Sequence, residues 1–193
     1  AAGIERAEEA VVSTVGQAAE IAAQIGYPLV MKVVGPVHKT DVGGVVVGIS
    51  SDEEVISEFN RMMKIKDTEA VLLQPMISGI ELFAGAKHEE GFGHLVMAGL
   101  GGIFIEVLRD VQSAMIPLGS NEAFRMIESL KAYKLLEGVR GQKGVNLKSF
   151  ASVLTRLSSL LRAAPEIFEM DLNPLLGNKE AVVAVDARIR IEK

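Results

Sequence analysis

The chain has 193 residues, of which 49% are hydrophobic, enough apolar material for one good-sized core or for two small lobes. Its 20 Lys and Arg residues against 25 Asp and Glu residues give a net charge of −5, which argues against a nucleic-acid binder because such proteins usually present a basic face. The sequence contains no Cys, so disulfides, thiol catalysis and thiolate-bound zinc are excluded.

Membrane insertion is also not expected. The longest uncharged runs, such as residues 95–105, are far shorter than the roughly 20 residues that span a bilayer. The N-terminus is acidic and has no signal-peptide pattern. The chain has no initiator Met, and Ala1 opens within what reads as the end of a helix. We therefore expect a cytoplasmic domain cut from a longer chain, with no membrane or nucleic-acid partner.

The first part of the chain predicts a small α/β lobe. Helical spacing of apolar residues, a glycine end signal at Gly26 and a capping-box sequence at residues 51–54 give the order helix, strand, strand, helix, strand. The predicted elements cover residues 15–26, 28–34, 45–49, 51–65 and 69–76.

The second part predicts an antiparallel meander followed by two helices and two strands. Short glycine-containing turns separate the strand-like segments, and Asn146 is the expected N-cap of the second helix. The predicted strands cover residues 79–90, 92–99, 102–108, 111–118, 167–172 and 181–188, and the predicted helices cover residues 121–133 and 147–163.

These elements predict an α+β chain with two lobes. Lobe 1 covers about residues 14–76 and lobe 2 about residues 79–193, with a hinge at residues 74–79. A seam between two such lobes is the usual place for a ligand.

The strongest local pattern is the polar strand of Glu169, Asp171 and Asn173. Strand side chains alternate between faces, so these three groups are expected on one face. Pro174 is expected to end the strand.

The next strand is expected to add a fourth oxygen donor. A turn centred between Asn178 and Lys179 places Asp171 opposite Asp186, and two facing carboxylates destabilise a sheet unless a cation neutralises them. Oxygen ligands of this kind suit Mg²⁺ that also binds phosphates. A solvated polar face on a surface hairpin fits the same residues.

Lys32 lies within an otherwise apolar strand. Its ammonium group must reach water or an anion, because a buried charge without either is costly. A phosphate bound in a cleft would satisfy this requirement, and so would a side chain that extends to solvent.

Residues 38–44, with the sequence HKTDVGG, combine His38 and Lys39 with the paired glycines Gly43 and Gly44. Consecutive backbone N–H groups in a glycine turn can bind an anion, and a neutral histidine nitrogen can accept a phosphoryl group near pH 7. An ordinary hairpin loop fits the same pattern. The spacing matches neither the P-loop nor the dinucleotide-binding motif.

Residues 97–106 are also rich in glycine. They fit a tight turn or a close backbone approach to a ligand, and a strand and not a helix is expected after the glycines, which excludes a dinucleotide-binding turn. His88 and His94 are expected in solvated polar turns.

Four segments, residues 26–45, 72–111, 135–141 and 169–189, resemble the ATP-grasp domain of ADP-forming acyl-CoA synthetases, relatives of the succinyl-CoA synthetase β subunit. They run in the family's order and cover nearly the whole chain. The resemblance implies the ATP-grasp fold, two α+β lobes with the nucleotide cleft between them.

The resemblance also implies roles for individual residues. Lys32 matches the lysine that holds the ATP or ADP phosphates, and the loop with Lys39, Gly43 and Gly44 matches the loop that folds over them. The segment that matches the adenine-reading hinge consists of Gln74, Pro75, Met76 and Ile77, and Glu81 lies on a strand that reaches the nucleotide. The matches to the Mg²⁺ ligands are Asn173 and Asp186, with Asp171 and Glu169 beside them.

In this family acyl-CoA, phosphate and ADP interconvert with acid, CoA and ATP through an acyl phosphate and a phosphohistidine. The principal phosphohistidine belongs to separate CoA-binding and CoA-ligase portions or to an α subunit, and His38 resembles a histidine that relays its phosphoryl group to ADP. Two rival interpretations stay open: a non-catalytic or regulatory ATP-grasp-like module of a protein acetyltransferase or other multidomain protein, and a protein-interaction subunit.

Overall fold

The computed structural model describes residues 2–36, 39–102, 105, 109–139, 141 and 143–192. The chain divides into two compact units. The small unit is Ala7–Ile77, and the large unit is Ala1–Arg6 together with Ser78–Lys193. In the part of the chain that is described, no helix is both long enough and apolar enough to cross a membrane.

The small unit is a four-stranded antiparallel sheet with two helices. The sheet order is β1-β4-β2-β3, so β2 and β4 are the inner strands. The elements are β1 Ala10–Val12, α1 Val15–Ile25, β2 Leu29–Val34, β3 Val45–Ile49, α2 Asp52–Met62 and β4 Ala70–Pro75. Strand β1 was not predicted, because its three residues are too few for a strand pattern.

The helix boundaries of the small unit follow from capping. Thr14 Oγ1 accepts the Gln17 N–H, and Ser51 Oγ accepts the Glu54 N–H, each at 3.3 Å. Gly26, with φ of 80°, ends α1 as predicted, because this backbone conformation is unfavourable for other residues.

One face of the small sheet carries the helices. Leu29, Met31 and Val33 of β2 belong to the core that includes buried residues of α1 and α2. Side chains alternate along a strand, so Val30 and Lys32 lie on the opposite face. The apolar core therefore fixes the face on which the lysine lies.

Tyr27 connects the start of β2 to α2. Its hydroxyl donates a hydrogen bond to the Asp52 carboxylate, and the pKa of Tyr27 is raised to about 12, first by burial and then by the hydrogen bond and charge of Asp52, with smaller effects of Glu53 and Glu54. A raised folded-state pKa stabilises the fold fully below the ordinary pKa of about 10, and this contribution is lost as the pH rises to about 12.

We therefore expect the Tyr27→Phe variant to be less stable than the unmodified chain at pH 8, by about 1 kcal/mol after allowance for solvent screening at this partly exposed side chain. The difference should shrink between pH 10 and pH 12. Urea unfolding at pH 8, 10 and 11.5 measures it, and a difference that grows with pH would contradict the assignment.

The large unit is a six-stranded antiparallel sheet packed against helices. The sheet order is β10-β8-β5-β6-β7, and β9 also pairs with β8. The strands are β5 Ile80–Glu89, β6 Gly93–Leu100, β7 Val111–Met115, β8 Ile167–Gly177, β9 Val182–Ala184 and β10 Ala187–Ile191. The helices are α3 Ser120–Glu128, α4 Tyr133–Glu137 and α5 Leu147–Ala163.

Helix α5 supplies much of the core of the large unit. Its residues Phe150, Leu154 and Leu157 are fully buried, in a core that includes Ala84 of β5 and Ala98 of β6. The predicted N-cap is confirmed, since Asn146 Oδ1 accepts the Ser149 N–H at 3.0 Å. The helices cover one face of the sheet, and the polar residues of β8 lie on the other.

The predicted helix over residues 121–133 is wrong at its C-terminal end. Helix α3 stops at Glu128, and α4 begins at Tyr133. The buried Asp110 carboxylate accepts the backbone N–H groups of Lys131 and Ala132, at 3.0 and 2.8 Å, and so binds amides that a continuous helix would use.

Two further predictions are wrong in the large unit. Ile105 is helical, and its N–H donates to the Gly102 carbonyl, whereas a strand was predicted there. The rest of that predicted strand, apart from Gly102, lies outside the described residues. His94 is buried, with Nε2 2.7 Å from the Ile167 carbonyl oxygen, because it lies in β6 and not in a polar turn.

Candidate functional site

Strand β8 carries an irregularity at Asn173 and Pro174. Next to β5, Leu172 pairs with Ala84 and Leu175 pairs with Leu82, so two residues of β8 lie opposite the single residue between these partners. This is a β-bulge, and such bulges redirect side chains near functional sites. The prediction that Pro174 ends the strand is wrong, since β8 continues to Gly177.

On the other side of β8, the pairing strand is also interrupted beside Asn173 and Pro174. Strand β9 ends at Ala184 opposite Leu175, and β10 begins at Ala187 opposite Leu172. Val185 and Asp186 therefore face Pro174 and Asn173, and the Val185 N–H donates to the Pro174 carbonyl at 3.3 Å. The register thus brings Asn173 and Asp186 together.

The predicted pairing of Asp171 with Asp186 is wrong by two residues. Asp171 lies opposite Arg188, whose Nε is 3.3 Å from Asp171 Oδ1. Because the strands meet in this register, a guanidinium group and not a second carboxylate faces Asp171. Glu169 lies opposite Arg190, with a charge separation of 4.0 Å.

The carboxylates still influence one another. Burial raises the pKa of the Asp171 carboxyl group, the charge and hydrogen bond of Arg188 lower it, and the negative charges of Glu169 and Asp186 raise it further. Glu169 and Asp171 also line, with Arg188, Ile189 and Arg190, a pocket of about 320 Å³. The polar face of β8 is therefore a concave surface of mixed charge.

The turn of Gly101 and Gly102, which follows β6, lies against the bulge of β8. The Gly102 N–H points at Asn173 Oδ1, 3.4 Å away, and the Gly101 N–H donates to the Glu81 carbonyl at 2.8 Å. A Cβ atom on Gly101 would lie 2.7 Å from the Leu82 carbonyl oxygen and 3.2 Å from Asn173 Oδ1. A Cβ atom on Gly102 would collide with the Glu81 carboxylate. The glycines therefore allow Glu81 and Asn173 to approach the same turn.

The close approach at Gly101 predicts a strong effect of the Gly101→Ala variant. We expect it to displace Asn173 and to cost about 1–3 kcal/mol of stability, because the surrounding backbone must shift to admit the Cβ atom. Urea unfolding measures the loss. The Gly16→Ala variant is the control, because a Cβ atom there meets nothing within 4 Å. A Gly101→Ala variant as stable as the unmodified chain would contradict the close approach at this turn.

The small unit places Lys32 and Gln74 on one face of its sheet. Lys32 pairs with Leu72, and Gln74 pairs with Val30, so both polar residues lie on the face away from the helices. Lys32 is only 8% exposed, which disagrees with the alternative of a side chain extended freely to solvent. Gln74 is buried, and its Nε2 donates to the Glu9 carboxylate at 3.2 Å.

The predicted hinge follows directly after this face. Gln74 and Pro75 end β4, and the Met76 N–H donates to the Pro28 carbonyl at 3.1 Å. The boundary between the two units falls after Ile77. The Met76 amide is therefore already used by a backbone carbonyl of the small unit.

The glycine loop after β2 is closed on itself. The Gly43 N–H donates to the Thr40 carbonyl at 3.0 Å, and the Gly44 N–H donates to the Lys39 carbonyl at 2.7 Å. Both amides are therefore already used within the loop, and binding a phosphate through them requires the loop to rearrange. His38 lies outside the described residues.

One arginine and one glycine pair at the site were not predicted as site residues. Arg188 could be found only with the correct strand register, which depends on where the β8–β9 turn is centred. Gly101 and Gly102 were noted as a possible ligand approach, and the structure places them against Asn173. Within the described ranges, no group of three or more His, Asp and Glu side chains is arranged to hold a metal ion by itself.

Comparison with known proteins relates this geometry to a family. A family model described as an ATP-grasp domain matches residues 1–191. The β subunit of an ADP-forming acetate–CoA ligase I from Pyrococcus furiosus is 38% identical over 183 residues, covering 90% of this chain and 79% of that subunit. An ADP-forming acetate–CoA ligase II from Archaeoglobus fulgidus is 42% identical over 190 residues, covering 97% of this chain. The chain spans only 28% of that longer protein.

A solved structure gives the same relation. The acetyl-coenzyme A synthetase 1 of Ca. Korarchaeum cryptofilum, in complex with coenzyme A and Ca-AMPCP, superposes with a TM-score of 0.93 at 36% identity, covering 99% of this chain and 88% of that one. The α+β class, the ATP-grasp fold and the resemblance inferred from four segments are confirmed. The chain belongs to the ATP-grasp domain family and is a homologue of the β subunits of ADP-forming acetyl-CoA synthetases.

Proposed function

We propose that this chain is the nucleotide-binding part of an ADP-forming acyl-CoA synthetase. In the complete reaction, acyl-CoA, ADP and phosphate interconvert with acid, CoA and ATP. The observation that carries the proposal is the meeting of Asn173 and Asp186. They lie where β8 has its bulge and where β9 ends and β10 begins, beside the glycine turn and Glu81. A chain that only mediates protein contacts has no need of this arrangement.

The residues present fit a magnesium ion. Asn173 offers an amide oxygen and Asp186 a carboxylate, and Mg²⁺ is commonly held by one or two such groups together with substrate phosphates and water. Asn173 Oδ1 lies close to the turn, where it accepts the Gly102 N–H at 3.4 Å, and an amide oxygen has a second lone pair with which to bind an ion.

Asp171 and Glu169 are less suited to direct ligation. Each faces an arginine of β10, so each carboxylate already has a cationic neighbour. We propose that Asn173 and Asp186 hold the ion, and that Asp171 and Glu169 contribute negative charge beside them. When bound, Mg²⁺ supplies positive charge that offsets the charge of the phosphates.

Lys32 is proposed to bind the nucleotide phosphates. It lies on an inner strand with its charge largely shielded from solvent, so an anionic ligand gains more from it than from a surface lysine. The loop of Lys39, Gly43 and Gly44 is proposed to fold over the phosphates after its internal hydrogen bonds open. The backbone of Gln74, Pro75, Met76 and Ile77 is proposed to read the adenine, and Glu81 is proposed to contact the nucleotide.

The acyl-CoA chemistry is proposed to lie on a partner. P. furiosus has two matching proteins named as β subunits, and a Korarchaeum structure is described as having a phosphohistidine segment that points towards the nucleotide-binding site. We propose that a CoA-binding subunit or domain delivers a phosphohistidine to this chain. The phosphoryl group leaves that histidine nitrogen, forms a bond with a nitrogen of His38, and then moves to a terminal oxygen of ADP.

Nucleotide titration tests the proposed function. Calorimetric titration of the chain with ADP and with ATP is expected to show saturable binding in the presence of Mg²⁺ and much weaker binding with a chelator. A folded chain, as judged by circular dichroism, that binds neither nucleotide with Mg²⁺ would overturn the proposal.

The His38→Gln variant tests the relay. We expect it to bind Mg²⁺–ADP as the unmodified chain does, because glutamine preserves polarity, and to lose phosphoryl transfer because the amide is not nucleophilic. Transfer of ³²P from a phosphorylated CoA-binding partner to ADP measures the second property. Equal transfer by the two chains would contradict the relay.

The regulatory alternative receives no support. The relatives described above are ligases, and the site keeps Glu169, Asp171, Asn173 and Asp186. A non-catalytic module has no requirement for these groups.

A further inference from the structure

The glycine loop of residues 39–44 is fixed at its C-terminal end by strand β2. The Gly44 carbonyl accepts the Val33 N–H at 2.8 Å, and the chain continues into Val45, which pairs with Lys32. A Cβ atom on Gly44 would collide with the Val33 side chain. This end of the loop is therefore packed against β2, next to the lysine that is proposed to bind phosphate.

A second contact joins the loop to helix α2. Arg61, in the last turn of α2, donates a hydrogen bond from Nη2 to the Gly43 carbonyl at 2.9 Å. Its Nε is 2.6 Å from Glu58 Oε2, one helical turn earlier. Arginine presents its donors in a rigid fork, so one nitrogen binds the carboxylate while another binds the carbonyl. Glu58 therefore orients the guanidinium group towards the loop.

The Gly43 carbonyl and the Gly44 N–H belong to the same planar peptide group. Arg61 binds the carbonyl side of this group, and the Lys39 carbonyl accepts the N–H at 2.7 Å. Because the group is planar and rigid, the N–H cannot turn towards a phosphate without turning the carbonyl as well. A contact made in only one of two arrangements favours that arrangement. Arg61 therefore favours the arrangement in which the Gly44 N–H is already used.

We propose that Arg61 is a positioning residue that acts through the peptide group between Gly43 and Gly44, holding the glycine loop in its resting arrangement until a nucleotide phosphate competes for the Gly44 N–H. The effect on nucleotide binding rests on the proposed function, whereas the restraint on the loop does not. Arg61 touches no phosphate in this role. Loss of an ordinary supporting residue weakens ligand binding, whereas loss of this restraint strengthens it.

The restraint is measured first, in the chain without nucleotide. NMR gives the rate at which the Gly44 N–H exchanges with water, and this rate follows the opening of the loop. The Arg61→Met variant is expected to exchange this hydrogen about three- to fivefold faster, the effect of one exposed charge-assisted hydrogen bond. The Gly26 N–H is the internal reference, because it donates to the Ala22 carbonyl in the same unit, and its rate should not change.

Nucleotide affinity is measured second, by calorimetric titration with ADP at constant Mg²⁺. The Lys64→Met variant is the matched control, because Lys64 is exposed just after α2 and its replacement removes the same charge. We expect Arg61→Met to bind ADP about three- to fivefold more tightly than Lys64→Met does. The two factors should agree, because exchange and binding depend on the same opening equilibrium.

The Glu58→Ala variant shows whether Glu58 acts through Arg61. It should increase the Gly44 exchange rate by a smaller factor than Arg61→Met, and it should add nothing when combined with Arg61→Met. Circular dichroism establishes that each variant is folded.

Two results would overturn the inference and leave the proposed function intact. One is an unchanged Gly44 exchange rate in folded Arg61→Met, and the other is faster exchange without tighter ADP binding than in Lys64→Met. Failure of the unmodified folded chain to bind ADP with Mg²⁺ would overturn the proposed function and, with it, the effect of Arg61 on nucleotide binding.

Discussion

The Asp186→Ala variant is expected to bind Mg²⁺ at least about 100-fold more weakly than the unmodified chain when both are loaded with nucleotide. Changes in groups that only support metal ligands already cost 10- to 100-fold, and Asp186 is proposed to be a ligand itself. The strand register places Asp186 opposite Asn173 of β8, and its negative charge contributes to the raised pKa of Asp171. The loss should appear directly in a Mn²⁺ titration of the ADP-bound chain.

Two variants make this result specific. Asp186→Asn keeps an oxygen but removes the charge, so we expect an affinity between those of the unmodified chain and Asp186→Ala. Glu180→Ala removes an exposed carboxylate between β8 and β9 and should leave Mn²⁺ binding unchanged. If Glu180→Ala and Asp186→Ala had equal effects, general charge and not ligation would be responsible.

The Lys32→Met variant is expected to lose roughly 10- to 100-fold in affinity for ADP. A charge-assisted hydrogen bond to a phosphate is worth about 1.5–3 kcal/mol, and methionine retains most of the apolar stem within β2. Because Lys32 is almost fully buried, solvent does not screen its charge as it would a surface lysine. Calorimetric titration with ADP at constant Mg²⁺ measures the loss.

The control for Lys32 is the Lys66→Met variant. Lys66 is exposed in the same unit, so this change removes an equal charge without affecting the buried face of the sheet. Circular dichroism and urea unfolding establish that both variants are folded. Full ADP affinity in a folded Lys32→Met chain would show that Lys32 is buried for a structural reason and does not bind phosphate.

The helices and inner strands were predictable because their signals are local. Helix α1 ends at Gly26, α2 begins after Ser51, and α5 begins after Asn146, and each of these is set by a capping group within a few residues. The end of α3 was not predictable in this way. It depends on Asp110, which binds backbone amides about 20 residues away in sequence.

The site was only partly predictable for the same physical reason. Strand alternation correctly placed Glu169 and Asp171 on one face, because it depends on neighbouring residues alone. The partner of each residue depends on strand register, and a shift of two residues exchanged Asp186 for Arg188 opposite Asp171. Two residues is a full strand period, so the hydrophobic pattern is unchanged by the shift and does not reveal it.

The bulge at Asn173 is not predictable from the sequence, because a proline ordinarily ends a strand. Here Pro174 lies within β8, at a place where the regular ladder is already interrupted, so its missing N–H costs no regular hydrogen bond. The same interruption separates β9 from β10 and brings Asp186 to Asn173. The irregular pairing that the sequence does not predict therefore brings Asn173 and Asp186 of the proposed site together.

The most direct measurement is a crystal structure of the chain with Mg²⁺ and a non-hydrolysable ATP analogue. We predict a metal ion about 2.1 Å from Asn173 Oδ1 and from an Asp186 carboxylate oxygen, with Arg188 still paired with Asp171 and Lys32 at the phosphates. An ion bound elsewhere, or nucleotide phosphates that contact neither Lys32 nor the metal, would contradict the account.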